Sequence, residues 1–196
     1  ELFFTIQNIA APESFYIEIQ NWVSEKYIVD KKFFISKSNI KLIEWLKSSH
    51  NDVILISRGD PLWFGIGRIL VENFSNKELL FYPSKTCLQL AFSKLKKPWQ
   101  DTKAISIHGR DSTQLIKSLN LKEKSIAILT DPKNNSLDLI RKNLKELNLD
   151  NSYEFWLCEE IGSKKEKISN ISQEDDLPKE ISNLNLVVLL KKESNY

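Results

Sequence analysis

A short apolar run, VILIS at residues 53–57, is followed at once by the turn sequence Arg58, Gly59, Asp60 and Pro61. An apolar run without polar alternation is typical of a strand that is buried on both faces. Strands of that kind lie in the middle of parallel sheets, whose faces are covered by helices. The stretch therefore favours an α/β fold, and the turn after it is the first place to look for a ligand site.

Strands and helices alternate through the first half of the chain. Apolar runs and polar alternation predict strands, whereas apolar residues three and four apart predict helices. The predicted strands lie at residues 1–7, 26–32, 52–58, 78–83 and 103–109. The predicted helices between them lie at residues 13–27, 38–50, 63–74 and 86–97. This alternation predicts a mostly parallel sheet.

The second half of the chain is less regular. Helices are predicted at residues 111–121 and 136–149, with a buried strand between them at 124–131. Three further strands follow with few helical residues between them, which indicates a mixed sheet. They are predicted at residues 152–162, 166–172 and 184–192. We therefore expect two α/β lobes, residues 1–110 and 111–196.

Composition argues against several classes of function. The 28 basic and 26 acidic residues give a net charge of +2, which leaves no broad basic field for gripping a nucleic acid. No apolar run approaches the roughly 20 residues that cross a bilayer, and the start lacks the pattern of a signal peptide. We expect a cytoplasmic protein without a nucleic-acid or membrane partner.

Cys87 and Cys158 are far apart in the sequence and lack the short spacing of metal-binding cysteines. We therefore expect buried, reduced thiols and no protein-bound metal.

The loops after the predicted strands are the candidate sites, because ligands of open α/β sheets bind outside the carboxyl ends of the strands. Five such loops lie at residues 8–14, 58–65, 83–86, 108–112 and 130–136.

In the loop RGDPLWFG, residues 58–65, several residue types have a direct structural explanation. Gly59 has no side chain, so the backbone there can come close to a ligand or to another segment. Pro61 restricts the backbone where the chain leaves the turn. Asp60 either caps the next helix or accepts hydrogen bonds from a ligand. An ordinary strand-to-helix turn explains the same residues. The loop lacks the G-K-[ST] ending of a phosphate-binding loop. Trp63 and Phe64 either stack on a planar ligand or belong to the core.

Three other loops contribute polar side chains. His108 and Arg110 lie at the tip of a predicted strand, where an imidazole and a guanidinium suit a substrate that carries carboxylates. A histidine that caps the strand and a solvated arginine fit the same spacing. Thr86 caps the helix that it precedes, or also reaches a ligand. Asp131 and the proline after it repeat the design of the first turn.

The sequence resembles the tetrapyrrole methylases over nearly its whole length. The resemblance lies in the segments LISRGDPLWFGIGR, YPSKTCLQLAFSKLKKPWQD, ISIHGRD, AILTDPKNNSLDLIRKNL and EEIGSKKEKI. Within that family, PWQD followed by SIHGR is similar to the precorrin C-5 methyltransferases of cobalamin (vitamin B12) biosynthesis, known as CbiE or as the amino-terminal part of CobL.

The resemblance implies a two-lobed α/β homodimer with a mostly parallel sheet in the amino-terminal lobe, a mixed sheet in the other and a cofactor cleft between them. It implies S-adenosylmethionine as methyl donor and carbon 5 of a precorrin or cobalt-precorrin at the precorrin-6/7 stage as acceptor. The segment EEIGSKKEKI matches the family's leucine-glycine-x-proline-x-glutamate pattern with Ile161 and Gly162 in register and Glu166 as the acid. The residues implied at the cofactor are Gly59, Asp60, Pro61, Leu62, Trp63, Phe64, Thr86, Leu129, Thr130 and Asp131.

A sulfonium methyl group is already activated, so the protein mainly aligns donor and acceptor and excludes water. We assign His108 as the base that removes a proton from the acceptor, and Arg58 and Arg110 as the cations that meet substrate carboxylates. The first loop of the family is glycine-rich and faces the tetrapyrrole, whereas here it reads NIAAPES. Its backbone should therefore take a more ordinary path. The alternatives are another tetrapyrrole methylase with a different acceptor carbon, or a non-catalytic α/β ligand-binding module.

Overall fold

The protein is described here by a computed structural model that covers residues 5–13, 15, 19, 21, 30–36, 38–107, 112–130 and 136–192. The chain divides into two compact units, Glu1–Ser84 and Lys85–Tyr196. In the part of the chain that the structure describes, every helix is too short or too polar to cross a bilayer.

The first unit is built on a three-stranded parallel sheet in the order β2-β1-β3. Its central strand buries Ile9 and Ala10 completely. The first helix begins where the Ser38 hydroxyl accepts a hydrogen bond from the Lys41 N–H. The elements of this unit are β1 (Asn8–Ala11), β2 (Lys32–Ile35), α1 (Asn39–Ser48), β3 (Val53–Leu55) and α2 (Gly67–Asn73).

The second unit contains a five-stranded mixed sheet in the order β4-β5-β8-β6-β7. Only the β4–β5 pair is parallel, and the other three pairs are antiparallel. Apolar side chains of α4 and α5 pack with those of the sheet in one core. The elements are α3 (Cys87–Leu95), β4 (Thr102–Ser106), α4 (Thr113–Asn120), β5 (Ser125–Leu129), α5 (Ser136–Glu146), a 3-10 helix (Asp150–Ser152), β6 (Tyr153–Glu159), β7 (Lys167–Asn170) and β8 (Asn185–Lys191).

These sheets confirm the predicted fold class, a parallel sheet in the first unit and a mixed sheet in the second. The division between the units differs from the expected one after residue 110. Strand β4 is hydrogen-bonded to β5 along its whole length, from Thr102 beside Ser125 to Ser106 beside Leu129. The pairing places this strand in the second unit, which therefore begins at Lys85.

Three predicted elements differ in the structure. The first strand is Asn8–Ala11, within the segment that was expected to be a loop, because its small residues fit between two neighbouring strands. No strand forms at residues 78–83, where Leu80 is 75% and Tyr82 64% exposed. Helix α2 begins at Gly67 and not at residue 63, since the backbone at Phe64 is left-handed. Most of the helix predicted at 13–27 lies outside the described residues.

Candidate functional site

The turn after β3 is closed by its own aspartate. Gly59 has a φ of +60°, a left-handed conformation that glycine adopts without a steric penalty. The Leu62 N–H donates to Asp60 Oδ1 at 2.9 Å, and the Trp63 N–H donates to the Asp60 carbonyl at 3.1 Å. Asp60 therefore caps the turn itself, ahead of the helix, and only one of its carboxylate oxygens is used in doing so.

Two glycines let the rest of this loop fold back on Pro61. The Gly67 N–H donates to the Pro61 carbonyl at 2.8 Å. A Cβ atom at Gly65 or Gly67 would lie 2.5 or 2.6 Å from that carbonyl oxygen, closer than real side chains come. The GIG segment, residues 65–67, is thus a close-packed turn that leads into α2.

The outer side of the turn carries apolar surface. Leu62 is 54% and Phe64 44% exposed, and the Trp63 ring meets the Phe64 ring edge-on with centroids 5.0 Å apart. Phe64 also has a φ of +53°, which costs a non-glycine residue about 1 kcal/mol or more. Strain and exposed aromatic surface in one place are common where a protein meets a ligand.

Two contacts hold neighbouring segments of the first unit against this turn. The Arg58 guanidinium lies over the Phe15 ring, 4.6 Å from its centroid, a cation–π distance. The Ser84 N–H donates to the Gly59 carbonyl at 3.2 Å. The segment that leads to the second unit therefore passes directly beside Gly59, and Arg58 remains exposed at the surface.

In the second unit, Thr86 forms a complete capping box at the start of α3. Its hydroxyl oxygen accepts from the Gln89 N–H at 3.2 Å, and Gln89 Oε1 accepts from the Thr86 N–H at 2.9 Å. Thr86 is itself buried. The capping role that the sequence predicted is confirmed, while contact of this hydroxyl with a ligand stays a prediction.

Replacing Thr86 with alanine should lower the free energy of unfolding by about 1 kcal/mol, because one helix N–H loses its acceptor. Thr86→Ser keeps the hydroxyl and should stay close to the wild type. Urea denaturation followed by circular dichroism measures both. An alanine variant as stable as the serine variant would contradict the assigned cap.

The turn between β6 and β7 is held on α3 by Glu166. Glu166 Oε2 accepts from the Gly162 N–H at 2.9 Å, and Oε1 lies 2.7 Å from Lys94 Nζ. Gly162 has a φ of +84°, and a Cβ there would lie 3.0 Å from the Leu90 side chain. The glycine and the acid that the resemblance picked out thus act together, and the partner of the acid is a lysine of α3.

These contacts predict a dependence of stability on pH. The hydrogen bond from Lys94, followed by that from the Gly162 N–H, lowers the pKa of Glu166 below its ordinary value of 4.5. A carboxyl group with a lowered folded-state pKa stabilises the fold above its unfolded pKa, and this contribution is lost as the pH falls through the folded-state value. Glu166→Gln should therefore lower the Tm at pH 7, and the gap to the wild type should shrink as the pH falls through the folded-state pKa of Glu166. A Tm gap that stays constant on acidification below pH 4.5 would argue against the ionic contribution.

Thr130 follows the end of β5 and is 6% exposed. Its hydroxyl is hydrogen-bonded to Asn185 Oδ1. Asn185 Nδ2 donates to the Ser182 carbonyl at 2.8 Å, and the Ser182 N–H donates to Glu159 Oε1 at 2.9 Å. A polar network therefore joins the edge of the sheet at Thr130 to the turn before β8 and the end of β6.

Both cysteines are free thiols, as expected from the sequence. Cys158 is buried and Cys87 is half-buried. Burial raises the pKa of both, that of Cys158 to about 12. Neither thiol is ionised near pH 7, so neither is a nucleophile there.

Several residues of the predicted site lie outside the described part of the chain, and their roles stay predictions. They are His108, Arg110 and Asp131. A surface pocket of about 480 Å³ lies beside α5 in the second unit and is lined by Arg141, Tyr153 and Gln173 among others. None of the residues predicted for the site lines this pocket. Its lining includes both basic and acidic side chains.

The family model of the Tetrapyrrole (Corrin/Porphyrin) Methylases matches residues 22–175. The chain belongs to the tetrapyrrole methylase family. The match covers most of the first unit and most of the second, including the turn at Gly59, the helix that Thr86 caps and the turn that Glu166 closes.

Two curated relatives of this tetrapyrrole methylase have names that include carbon 5, and the second also names carbon 15. The probable cobalt-precorrin-7 C(5)-methyltransferase of Methanocaldococcus jannaschii is 28% identical over 145 residues, which is 71% of this chain and 67% of that protein. The precorrin-6Y C(5,15)-methyltransferase [decarboxylating] of Sinorhizobium sp. is 29% identical over 77 residues, 39% of this chain and 19% of that protein.

Solved structures show the same fold. The methyltransferase CobJ has a TM-score of 0.71 at 15% identity and covers 95% of this chain and 84% of its own. The precorrin-6Y methylase CbiE of Archaeoglobus fulgidus has a TM-score of 0.64 at 18% identity, covering 95% and 85%. A uroporphyrin-III C-methyltransferase of Thermus thermophilus, solved in complex with S-adenosylhomocysteine, has a TM-score of 0.63 at 16% identity, covering 96% and 87%.

The reasoning from sequence did not find Lys94 or Asn185. Lys94 is one of several lysines near the end of α3, and nothing local marks it as the partner of Glu166. Asn185 lies 55 residues from Thr130. Its role depends on an antiparallel pairing of β5 with β8 that the sequence pattern does not specify.

Proposed function

We propose that this tetrapyrrole methylase transfers a methyl group from S-adenosylmethionine to carbon 5 of a precorrin or cobalt-precorrin in cobalamin biosynthesis. The observation that carries the proposal is that carbon 5 is named in both curated relatives, alone in the first and together with carbon 15 in the second. The sequence pair PWQD and SIHGR supports the same acceptor. The fold alone does not select it, since methylases with different names have similar TM-scores.

The residues of the first unit fit the cofactor chemically. Asp60 Oδ1 closes the turn, so Oδ2 is left to accept hydrogen bonds from hydroxyl or amine donors such as those of adenosine. The exposed apolar surface of Leu62 and Phe64 suits the less polar parts of the same molecule. When bound, S-adenosylmethionine supplies an activated methyl group on a sulfonium centre. The chain's residues need only bind, orient and exclude water.

His108 is the proposed base, and Arg58 and Arg110 are the proposed partners of substrate carboxylates. Arg58 is exposed over the Phe15 ring, so its charge is held at the surface with a defined orientation. A guanidinium forms paired hydrogen bonds with a carboxylate, and the macrocycle carries several carboxylates.

His108→Ala is expected to lower turnover by a factor on the order of 100 or more, the usual contribution of a positioned general base. His50→Ala is the matched control, because the other histidine of the chain lies just beyond α1. Initial rates at saturating cofactor measure the effect. Unchanged turnover of the His108 variant would remove the base assignment and leave the methyltransferase proposal intact.

We further propose a cytoplasmic homodimer, as the family resemblance implies. Size-exclusion chromatography with light scattering tests the dimer, and a monomer at micromolar concentration would contradict it.

The decisive experiment incubates the chain with a precorrin intermediate and S-adenosylmethionine carrying a ¹³C-labelled methyl group. Mass spectrometry should show the gain of one methyl group, and ¹³C NMR should place it at C-5. A methyl group on another carbon would support a different tetrapyrrole methylase instead. Cofactor binding without any product would support a ligand-binding module.

A further inference from the structure

We propose that one end of the second unit's sheet is a docking surface for a membrane that contains anionic lipids. This surface, the lysine edge, is formed by the segments that lead into β4, β5 and β6 and by the end of β8. It comprises residues 96–103, 121–124, 150–152 and 191–192. The inference does not depend on the proposed function, because none of these residues is predicted to contact cofactor or substrate.

The strand pairings bring these segments together at one end of the sheet. Thr102 lies beside Ser125 in the β4–β5 register, and their hydroxyl oxygens are 2.7 Å apart. The Lys191 N–H donates to the Lys124 carbonyl at 2.8 Å, and β6 begins beside the end of β8. Thr130 follows the other end of β5, roughly 15 Å away for a strand of this length. The lysine edge and the candidate site residue Thr130 therefore lie at opposite ends of the same sheet.

The lysine edge carries more positive charge than the whole chain. It holds seven lysines and three acidic residues, an excess of four charges, whereas the net charge of the chain is +2. All seven lysines are exposed, and none of them forms an ion pair with another described residue. The net charge of the chain thus hides a local basic surface, since the remaining residues together are negative. The lysines are Lys96, Lys97, Lys103, Lys122, Lys124, Lys191 and Lys192.

Two exposed apolar side chains lie among these lysines. Trp99 is 46% and Leu121 64% exposed. Trp99 lies in the turn before β4, where its carbonyl accepts from the Thr102 N–H at 3.1 Å. Leu121 ends α4 and directly precedes Lys122. Because Thr102 and Ser125 are paired, the segments that carry Trp99 and Leu121 are neighbours.

An anionic membrane explains this combination better than a protein or a nucleic acid does. Protein–protein interfaces are depleted in lysine. A nucleic acid could stack a base on Trp99 but offers nothing comparable to Leu121. At a bilayer, tryptophan and leucine enter the interfacial region while lysines remain among the anionic headgroups. The expectation of no membrane partner rested on the lack of an apolar spanning run, which does not bear on docking at the surface.

The test measures binding of the full chain to unilamellar vesicles by co-sedimentation. One set of vesicles contains phosphatidylcholine with about 30% phosphatidylserine, and the other contains phosphatidylcholine alone. Wild type should bind the anionic vesicles on the order of 100-fold more strongly, because each lysine near such a surface contributes about fivefold. Raising the salt from about 0.1 M to about 1 M should remove most of this preference, since the Debye length falls from about 10 Å to about 3 Å.

Two double variants with the same change of net charge separate the lysine edge from charge in general. Lys97→Glu with Lys124→Glu should weaken binding to anionic vesicles on the order of 100-fold. The matched control is Lys41→Glu with Lys77→Glu, which alters two exposed lysines of the first unit. This control should bind nearly as well as wild type. Equal losses in the two double variants would overturn the lysine edge as the docking surface.

The apolar contribution is tested separately and does not depend on the charge variants being folded. Trp99→Ala should weaken binding on the order of tenfold and leave its salt dependence unchanged. Ile40→Ala is the matched control, because Ile40 is 72% exposed on α1 in the first unit and should have no effect. Thermal melts followed by circular dichroism show which variants are folded. Undiminished binding of a folded Trp99→Ala variant would overturn the contact of Trp99 with lipid.

The other outcomes are also decisive. A folded wild type that binds neither set of vesicles, or binds both equally, would overturn the proposal. Binding of single-stranded polyuridylate RNA without binding of vesicles would replace the membrane by a nucleic acid as the partner. No cofactor or substrate is present in these measurements, so their failure would leave the methyltransferase proposal intact.

Discussion

Replacing Gly59 with valine is expected to lower methyl transfer on the order of 100-fold, the effect of displacing a binding segment by about 1 Å. Gly59 has a φ of +60°, where a β-branched side chain is a steric outlier. The turn would have to move to relieve the strain. Its movement would displace the Asp60 carboxylate and the carbonyl that accepts from the Ser84 N–H.

Gly59→Asn is the matched control, because asparagine tolerates the left-handed conformation better than other side chains do. It should retain most of the activity. Single-turnover rates with labelled S-adenosylmethionine measure the chemistry, and thermal melts show that each variant is folded. Similar rates for the valine and asparagine variants would show that backbone conformation at residue 59 is not what the cofactor site needs.

Replacing Leu189 with alanine is expected to lower the free energy of unfolding by about 2–5 kcal/mol. Leu189 is fully buried in the second unit's core. It lies in the central strand β8, between Ile126 of β5 and Phe155 of β6. These neighbours belong to two different strands, so the cavity cannot close without disturbing both pairings.

The same substitution at Leu121, which is 64% exposed, should change stability by less than about 0.5 kcal/mol. Urea denaturation followed by circular dichroism compares the two variants. Equal losses would mean that the β8 position is not packed as the structure describes.

The parts of the fold that sequence predicted well are those decided by local pattern. Helices α3, α4 and α5 have apolar residues at helical spacing, and the buried run at β5 is bounded by turns. The turn at Gly59 and the Thr86 cap follow from the chemistry of single residues.

The parts that were wrong depend on what a segment meets in the folded chain. Residues 78–83 have the composition of a strand, but no strand of the described residues pairs with them, and Leu80 and Tyr82 face solvent. The alanines of β1 have low strand propensity but are buried between β2 and β3. The place of β4 was mistaken for the same reason, since only its pairing with β5 assigns it to the second unit.

In the candidate site, too, contacts between residues close in sequence could be predicted, whereas contacts between distant residues could not. The turn after β3 and the Thr86 cap are local and could be predicted, whereas the bond from the Leu62 N–H by which Asp60 closes the turn itself was not predicted. The hydrogen bonds of Thr130 and Glu166 to Asn185 and Lys94 join distant parts of the chain. No spacing rule connects such pairs, so they became visible only in three dimensions.

The place of β8 has a consequence for how the chain assembles during synthesis. Strands β4 and β5 can pair with each other early, and so can β6 and β7, but β8 is the last of these strands to leave the ribosome and lies between the two pairs. Until then, β5 and β6 each present an unpaired apolar edge, which is where nascent chains aggregate. The first unit pairs its three strands within a much shorter stretch. The second unit is therefore expected to complete its sheet later and more slowly than the first.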